Sequence, residues 1–233
     1  MLEIRDLGKR YSGNRILEAI SVKVGIGESL VVWGPSGSGK TTLLRLIAGL
    51  EAPTAGEIRL DGKLASTPDW LLPPSSRRLG FVFQTSALWP HLTVAGNVRF
   101  GLQLWPRREA QQRVGDLLEQ MGISHLARRF PHQISGGEAR RVALARALAP
   151  LPRFLLLDEP LTHLNEELKH LALDVIRRHR EETDVCVIYV THDREEAEAM
   201  SGVRLNLDRI HSVERFQTQG AGSSTDDLGS SNS

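Results

Sequence analysis

The 233-residue chain contains a single cysteine, Cys186, so neither an internal disulfide framework nor a cysteine-based zinc site is open to it. Net charge is nearly absent too. Twenty-nine basic side chains against 28 acidic ones leave +1, which argues against a protein that lives mainly on nucleic-acid phosphates but is compatible with a local basic patch. No run approaches the ~18 consecutive apolar residues of a membrane span. The opening residues Met1-Leu2-Glu3-Ile4-Arg5-Asp6 lack the apolar core of a signal peptide. Together these absences lead us to expect a reducing cytosol. What is present is ordinary for a globular chain, with 40% apolar and 24% charged residues, and the length suffices to bury roughly 70–75% of the surface that the unfolded form would expose.

Short apolar runs with β-branched residues alternate with longer stretches of helical period, the pattern of a mostly parallel sheet wrapped by helices. The fold class is therefore α/β. Strands are expected at Ile20–Val24, Ser29–Trp33, Glu57–Leu60, Leu79–Phe83, Phe154–Leu157 and Val185–Val190. Helices are expected at Lys40–Ala48, Glu109–Met121, Glu138–Ala149, Glu166–Arg180 and Arg194–Met200. About seventy residues between Phe83 and Phe154 contain no good strand, so a helical subdomain is expected over about 85–150. The run QTQGAGSSTDDLGSSNS from Gln217 to Ser233 has too little apolar surface to offset the entropy of ordering. A flexible tail over 217–233, following one domain over 1–216, is the expectation.

Gly34-Pro35-Ser36-Gly37-Ser38-Gly39-Lys40-Thr41 follows one expected strand and precedes an expected helix, the context that the G-x-x-x-x-G-K-[ST] phosphate loop requires. Glycines let the backbone turn its N–H groups inward, the helix adds the positive end of its dipole, Lys40 reaches the β/γ-phosphates, and the Thr41 hydroxyl suits Mg²⁺. Thr42 joins this nucleotide-binding set. The loop alone specifies a nucleoside triphosphate, not what is done with it.

Phe154-Leu155-Leu156-Leu157-Asp158-Glu159-Pro160 puts an apolar strand before two adjacent carboxylates, at the sheet edge where α/β folds bind ligands. Asp158 suits the hydration sphere of Mg²⁺ beside Thr41. Glu159 could orient or deprotonate a water for in-line attack on the γ-phosphate. An acidic turn capping the next helix is the plainer alternative. Further back, Ser135-Gly136-Gly137-Glu138 has the spacing of a capping box, which accounts for Ser135 and Glu138 but not for two glycines at a helix start. Close approach of an anion such as a γ-phosphate would account for them.

Taken in order, Gly34–Thr41, Gln84, Ile134-Ser135-Gly136-Gly137-Glu138, Asp158-Glu159-Pro160 and Thr191-His192-Asp193 resemble the motif series of the ATP-binding subunits of importer-type ABC transporters, over about residues 2–202. The resemblance implies a P-loop NTPase core with a mostly parallel sheet, an N-terminal antiparallel β portion and a helical subdomain. It implies ATP and Mg²⁺ as ligands. Two subunits, in a homodimer or with a paired ATP-binding subunit, would close head to tail so that Ser135, Gly136, Gly137 and Glu138 of one cover the ATP on the other's phosphate loop. Tyr11, in the turn after the first strand, would stack on adenine. Gln84 would touch Mg²⁺ and the attacking water, and His192 would hold the γ-phosphate and keep Glu159 in register. Catalysis would thus fall to Glu159, His192 and Gln84, and metal binding to Thr41, Gln84 and Asp158.

Leu88, Trp89 and Leu92 look like the segment that in such importers grips a helix of the membrane permease subunits, packing within the helical subdomain being the alternative. The implied setting is peripheral, on the cytoplasmic face of the cell membrane, with permease subunits and an external solute-binding protein as partners and no nucleic acid. Two departures stand out. Thr162-His163-Leu164-Asn165 replaces a loop that commonly ends in Asp, which puts coupling between two sites in question. Val203–Ile210 lacks the Asp-Gly turn that usually joins two late strands, so irregular packing is expected there. The C-terminal regulatory domain of many sugar and ion importers is not expected in this chain. A soluble ABC-type ATPase working on nucleic acid or ribosomes, and a nucleotide-binding scaffold that does not turn over, are the competing functions.

Overall fold

Ten strands and six α-helices make up the computed structural model, which describes residues 1–207 and the backbone of 212–216. The strands are β1 (Leu2–Tyr11), β2 (Asn14–Val24), β3 (Ser29–Trp33), β4 (Ala55–Leu60), β5 (Lys63–Ser66), β6 (Leu79–Val82), β7 (Phe154–Asp158), β8 (Cys186–Val190), β9 (Gly202–Asn206) and β10 (Ser212–Phe216). The helices are α1 (Lys40–Ala48), α2 (Val94–Arg99), α3 (Arg107–Gln120), α4 (Gly136–Leu148), α5 (Glu166–Thr183) and α6 (Arg194–Ala199). The expected α/β class holds. A four-stranded antiparallel sheet has the order β2-β1-β4-β5, and a six-stranded sheet has the order β10-β9-β3-β8-β7-β6, in which only the β9–β10 pair is antiparallel. The tail expectation for 217–233 lies outside the described residues.

The parallel strands are buried on both faces, and alternate residues serve two cores. Leu30, Val32, Leu156, Ile188 and Val190 face α1 and the antiparallel sheet. Val31, Leu155, Leu157, Val187 and Tyr189 face the helices that run between β6 and β7, together with α5. Parallel pairing also sets the level of the strand ends. Val32 lies opposite Val190, Val190 opposite Asp158, and Leu157 opposite Val82. The segments that leave β3, β8, β7 and β6 therefore emerge side by side on one edge.

The structure corrects the sequence expectation after Met200. Residues 202–206 are not irregular: β9 pairs parallel with β3 from Leu30–Val203 to Trp33–Asn206, and β10 pairs back onto it. Gly202 makes this possible, because its φ is 146° and a Cβ there would come within 2.3 Å of the Ser29 carbonyl. Residues 208–211, where the Asp-Gly turn would fall, lie outside the described residues. Two further strands, β1 and β5, carry no strong sequence signal. β1 is broken by register shifts, with Asp6 in the left-handed region at φ 46°.

A buried arginine fixes the far end of α1. The Arg77 guanidinium donates to the carbonyls of Leu46, Ile47, Ala65 and Leu72 and to the Ser66 hydroxyl. One of these, that of Ile47, is a carbonyl that the helix end leaves unpaired, while that of Leu46 also accepts from the Gly49 N–H. Burial without a carboxylate partner lowers its pKa to about 10, so it stays cationic at neutral pH. Arg77→Met keeps the stem and strands those acceptors, and is expected to lower the unfolding free energy by about 2–4 kcal/mol, read from urea denaturation midpoints.

Candidate functional site

Residues 34–39, between β3 and α1, form a loop whose glycines all have positive φ, with Gly37 at 82° and Gly39 at 95°. Gly39 is doubly constrained, since a Cβ would lie 2.8 Å from Leu17 and 3.2 Å from the Ile16 carbonyl on β2. The loop therefore rests against the antiparallel sheet. No side chain caps the start of α1, so its first-turn N–H groups remain available to an anion. Lys40 Nζ donates to the carbonyls of Gly34 and Pro35, both at 2.7 Å, which leaves its third N–H to point elsewhere. Burial lowers the Lys40 pKa, opposed by the charges of Glu159 and Asp158. The buried Ser38 hydroxyl has no protein partner among the described residues.

These groups open onto a cavity of about 280 Å³ lined by Ile16, Ser36, Gly37, Gly39, Lys40, Thr41, Thr42, Gln84 and Glu159. At its floor the Thr41 hydroxyl donates to Asp158 Oδ2 at 2.9 Å. Burial raises the Asp158 pKa, and the Thr41 hydrogen bond only partly opposes this. A divalent cation beside this carboxylate would favour its charged form, and the hydroxyl-carboxylate pair is a hard oxygen set that suits Mg²⁺. Among the described residues no group of three or more His, Cys, Asp or Glu side chains could hold a metal by itself. Such a cation would have to arrive with phosphate oxygens and waters.

Glu159 stands just beyond β7 in the left-handed region at φ 46°, a conformation that costs a non-glycine residue about 1–2 kcal/mol. Its N–H donates to the Val190 carbonyl of β8 at 3.0 Å, and the Thr162 hydroxyl donates to its carbonyl at 3.1 Å. These bonds hold the carboxylate over the cavity. Oε1 lies 3.3 Å from Nδ1 of His192, whose side chain is 63% exposed against 16% for Glu159.

Other expected site residues lie apart from this cavity. Ser135 and Glu138 form the capping box: the Glu138 N–H donates to Ser135 Oγ at 3.3 Å, and the Ser135 N–H donates to Glu138 Oε2 at 2.7 Å. That backbone donor holds the Glu138 pKa below its usual value. None of Ser135, Gly136, Gly137 and Glu138 lines the cavity of its own chain. A Cβ on Gly136 would meet nothing within 4 Å, whereas one on Gly137 would press on Leu164 at 3.1 Å. Asn165 caps α5 by accepting from the Leu168 N–H at 2.9 Å, so the amide does the local work an aspartate would do, without its charge.

Tyr11 is the last residue of β1, paired with Asn14, rather than part of the turn that follows. Its hydroxyl donates to Glu51, and Lys9 Nζ lies 4.9 Å from its ring centre. Leu88 packs against the helical core. Trp89 is 43% exposed, its ring centre 5.3 Å from that of the exposed Phe100. The Asn97 side chain fixes this segment, accepting from the Trp89 N–H and donating to the carbonyls of Trp89, Leu92 and Thr93.

Sequence reasoning missed three residues. Ile16 supplies the apolar wall of the cavity. Buried Arg140 donates to the carbonyls of Phe83 and Gln84, and Arg146, two turns along α4, donates to those of Ser86 and Ala87. The only sequence signal for the arginines is their place on the helix after the Ser-Gly-Gly turn.

Known proteins resemble this chain in sequence and in fold. The family model for the ABC transporter matches residues 17–162. A sulfate/thiosulfate import ATP-binding protein CysA of Rhodopseudomonas palustris is 45% identical over 202 residues, covering 84% of this chain and 57% of the relative. An Fe(3+) ions import ATP-binding protein FbpC of Serratia marcescens is 45% identical over 197 residues, covering 84% and 57%. A spermidine/putrescine import ATP-binding protein PotA of Roseobacter denitrificans is 43% identical over 227 residues, covering 97% and 60%. The chain thus spans a little over half the length of these curated relatives. Among solved structures, the ATP-binding cassette MJ0796, as a dimer in a post-hydrolysis state bound to ADP and Pi, superposes with a TM-score of 0.83. It is 30% identical, with 93% of this chain and 99% of that one covered.

The contacts of Gly39 generate an expected outcome. Gly39→Ala adds a Cβ at a positive φ against β2, and should weaken binding of a nucleoside triphosphate by about tenfold or more by calorimetric titration, with the helix content by circular dichroism unchanged.

Proposed function

The chain belongs to the ABC transporter family, and from that footing we propose that it binds ATP with Mg²⁺, hydrolyses the γ-phosphate, and drives solute import as one of two paired ATP-binding subunits. The observation that carries this reading is the convergence of Lys40, the Thr41–Asp158 pair and Glu159, beside His192, around one cavity. In it, the loop amides and Lys40 bind the β/γ-phosphates. Thr41, Asp158 and Gln84 would hold the cation, which when bound neutralises phosphate charge. Glu159 orients and takes a proton from the attacking water, and His192 steadies Glu159 and the γ-phosphate. The adenine would meet Tyr11 and the apolar wall of Ile16.

Three observations support a two-copy site. The Ser135–Glu138 turn lies outside the cavity of its own chain, Gly136 has open space before it, and a structural relative is described as dimeric. A helix start with Gly136 open to solvent suits the γ-phosphate held by a second copy. Trp89 and Phe100 then offer an apolar surface to membrane permease subunits, with the chain peripheral on the cytoplasmic face. No helix among the described residues is long and apolar enough to cross a membrane. An external solute-binding protein would complete the importer. Relatives named for an oxyanion, a ferric ion and polyamines are about equally similar to this chain, which supports cargo choice by other subunits.

Glu159→Gln keeps the shape and removes the base. It should lower ATP turnover by about 100-fold or more while ATP traps a dimer detectable by light scattering. Turnover equal to wild type would overturn the assignment of Glu159. Trp89→Glu should abolish copurification with the membrane subunits and leave the chain's own ATP turnover within about twofold.

A further inference from the structure

Among the described residues His192 has one side-chain partner, Glu159, and it is largely exposed, so its position must come from the residues on either side of it. On one side the hold is buried. The Thr191 hydroxyl donates to Glu196 Oε2 at 2.8 Å and accepts from the Asp193 N–H at 3.0 Å, while the fully buried Tyr189 donates to the same Glu196 oxygen at 2.9 Å. Glu196 is itself buried on α6. Among the described residues these side-chain bonds stay within the segment that carries His192.

On the other side the hold comes from a different element. Asp193 Oδ1 accepts from the N–H groups of Glu195 and Glu196, and Oδ2 accepts from Lys169 Nζ at 2.9 Å. Lys169 lies one turn into α5, where it also pairs with Glu166 at 3.1 Å. α5 is capped by Asn165, the end of the short loop that leaves Glu159. Glu159 and His192 are therefore fastened to each other twice besides their own contact: through the Glu159 N–H on Val190 and through Lys169 on Asp193. The first tie is backbone and fixed. The second is a single, part-buried ion pair, and it is the one that follows α5. The same loop packs on the Ser-Gly-Gly turn through Leu164 and Gly137.

We propose that Lys169 is a positioning residue for His192: its ion pair with Asp193 passes the placement of the 161–165 loop and α5 to the histidine, so that hydrolysis responds to where that loop sits. This rests on the reading of His192 given above. Loss of the tie would leave the phosphate cradle intact and act on the chemical step.

The test is ATP turnover by the full chain, with kcat and KM measured separately for Lys169→Ala, Lys169→Arg, Asp193→Asn, His192→Ala and the Lys169→Ala/Asp193→Asn double variant. Asp193→Asn can keep the α6 cap through its carbonyl and removes the charge. We expect His192→Ala to lower kcat by about 100-fold, and Lys169→Ala and Asp193→Asn each by about tenfold with KM within about twofold. The double variant should fall no lower than the worse single, and Lys169→Arg should restore kcat to within about threefold of wild type. Unchanged kcat in Lys169→Ala beside a large loss in His192→Ala would overturn the tie alone. So would losses that multiply in the double variant, or a KM that rises in step with a falling kcat. Unchanged kcat in His192→Ala would overturn the reading of the histidine and the proposal with it.

Discussion

A hydrogen bond of 2.9 Å between the Thr41 hydroxyl and Asp158 reaches across 117 residues of sequence, and the remaining site geometry depends on it. It joins the first turn of α1 to the end of β7, so the phosphate-facing backbone and the acidic strand end cannot shift independently. Parallel pairing of β3, β8, β7 and β6 brings the two ends level. The hydroxyl then satisfies a buried carboxylate that would otherwise be costly. One weak interaction in a prearranged frame thereby defines the floor of the cavity, over which Glu159, the next residue, is held by the Val190 carbonyl and the Thr162 hydroxyl.

Side chains with fixed donor geometry extend this frame outward. Arg77 closes the far end of α1, and Arg140 and Arg146 tie α4 to the carbonyls of Phe83, Gln84, Ser86 and Ala87. All three guanidiniums bond to carbonyls, and burial lowers the pKa of each. A planar group with five donors can serve several unpaired carbonyls at once, which a lysine cannot do. The segment between Gln84 and Trp89 thus has no regular structure of its own, yet it is held in place by the helix that begins at the Ser-Gly-Gly turn.

Much of this was legible in the sequence because it depends on short-range patterns. The glycine spacing before Lys40, the apolar run before Asp158-Glu159 and the Ser135–Glu138 box each specify local geometry, and the structure has α1, β7 and α4 there. What was not legible depends on long-range contact. β1 hides behind bulges and charged residues, β5 has four residues, and β9 exists because Gly202 lets it reach Ser29, an approach that no local pattern announces. Ile16 and Arg140 carry no motif, and their roles follow from what the fold puts beside them. Tyr11 was recognisable as a residue of interest, but its engagement with Lys9 and Glu51 was not.

The Arg77 cap has a consequence for the order of assembly. Its targets at the end of α1 precede it by 30 and 31 residues, and Ala65 and Ser66 by about a dozen. As the chain leaves the ribosome, the phosphate loop and its helix emerge well before the arginine that completes that helix. The far end of α1 therefore gains this anchor only after β4 and β5 have emerged, and its phosphate-facing end waits longer still, for the carboxylate of Asp158.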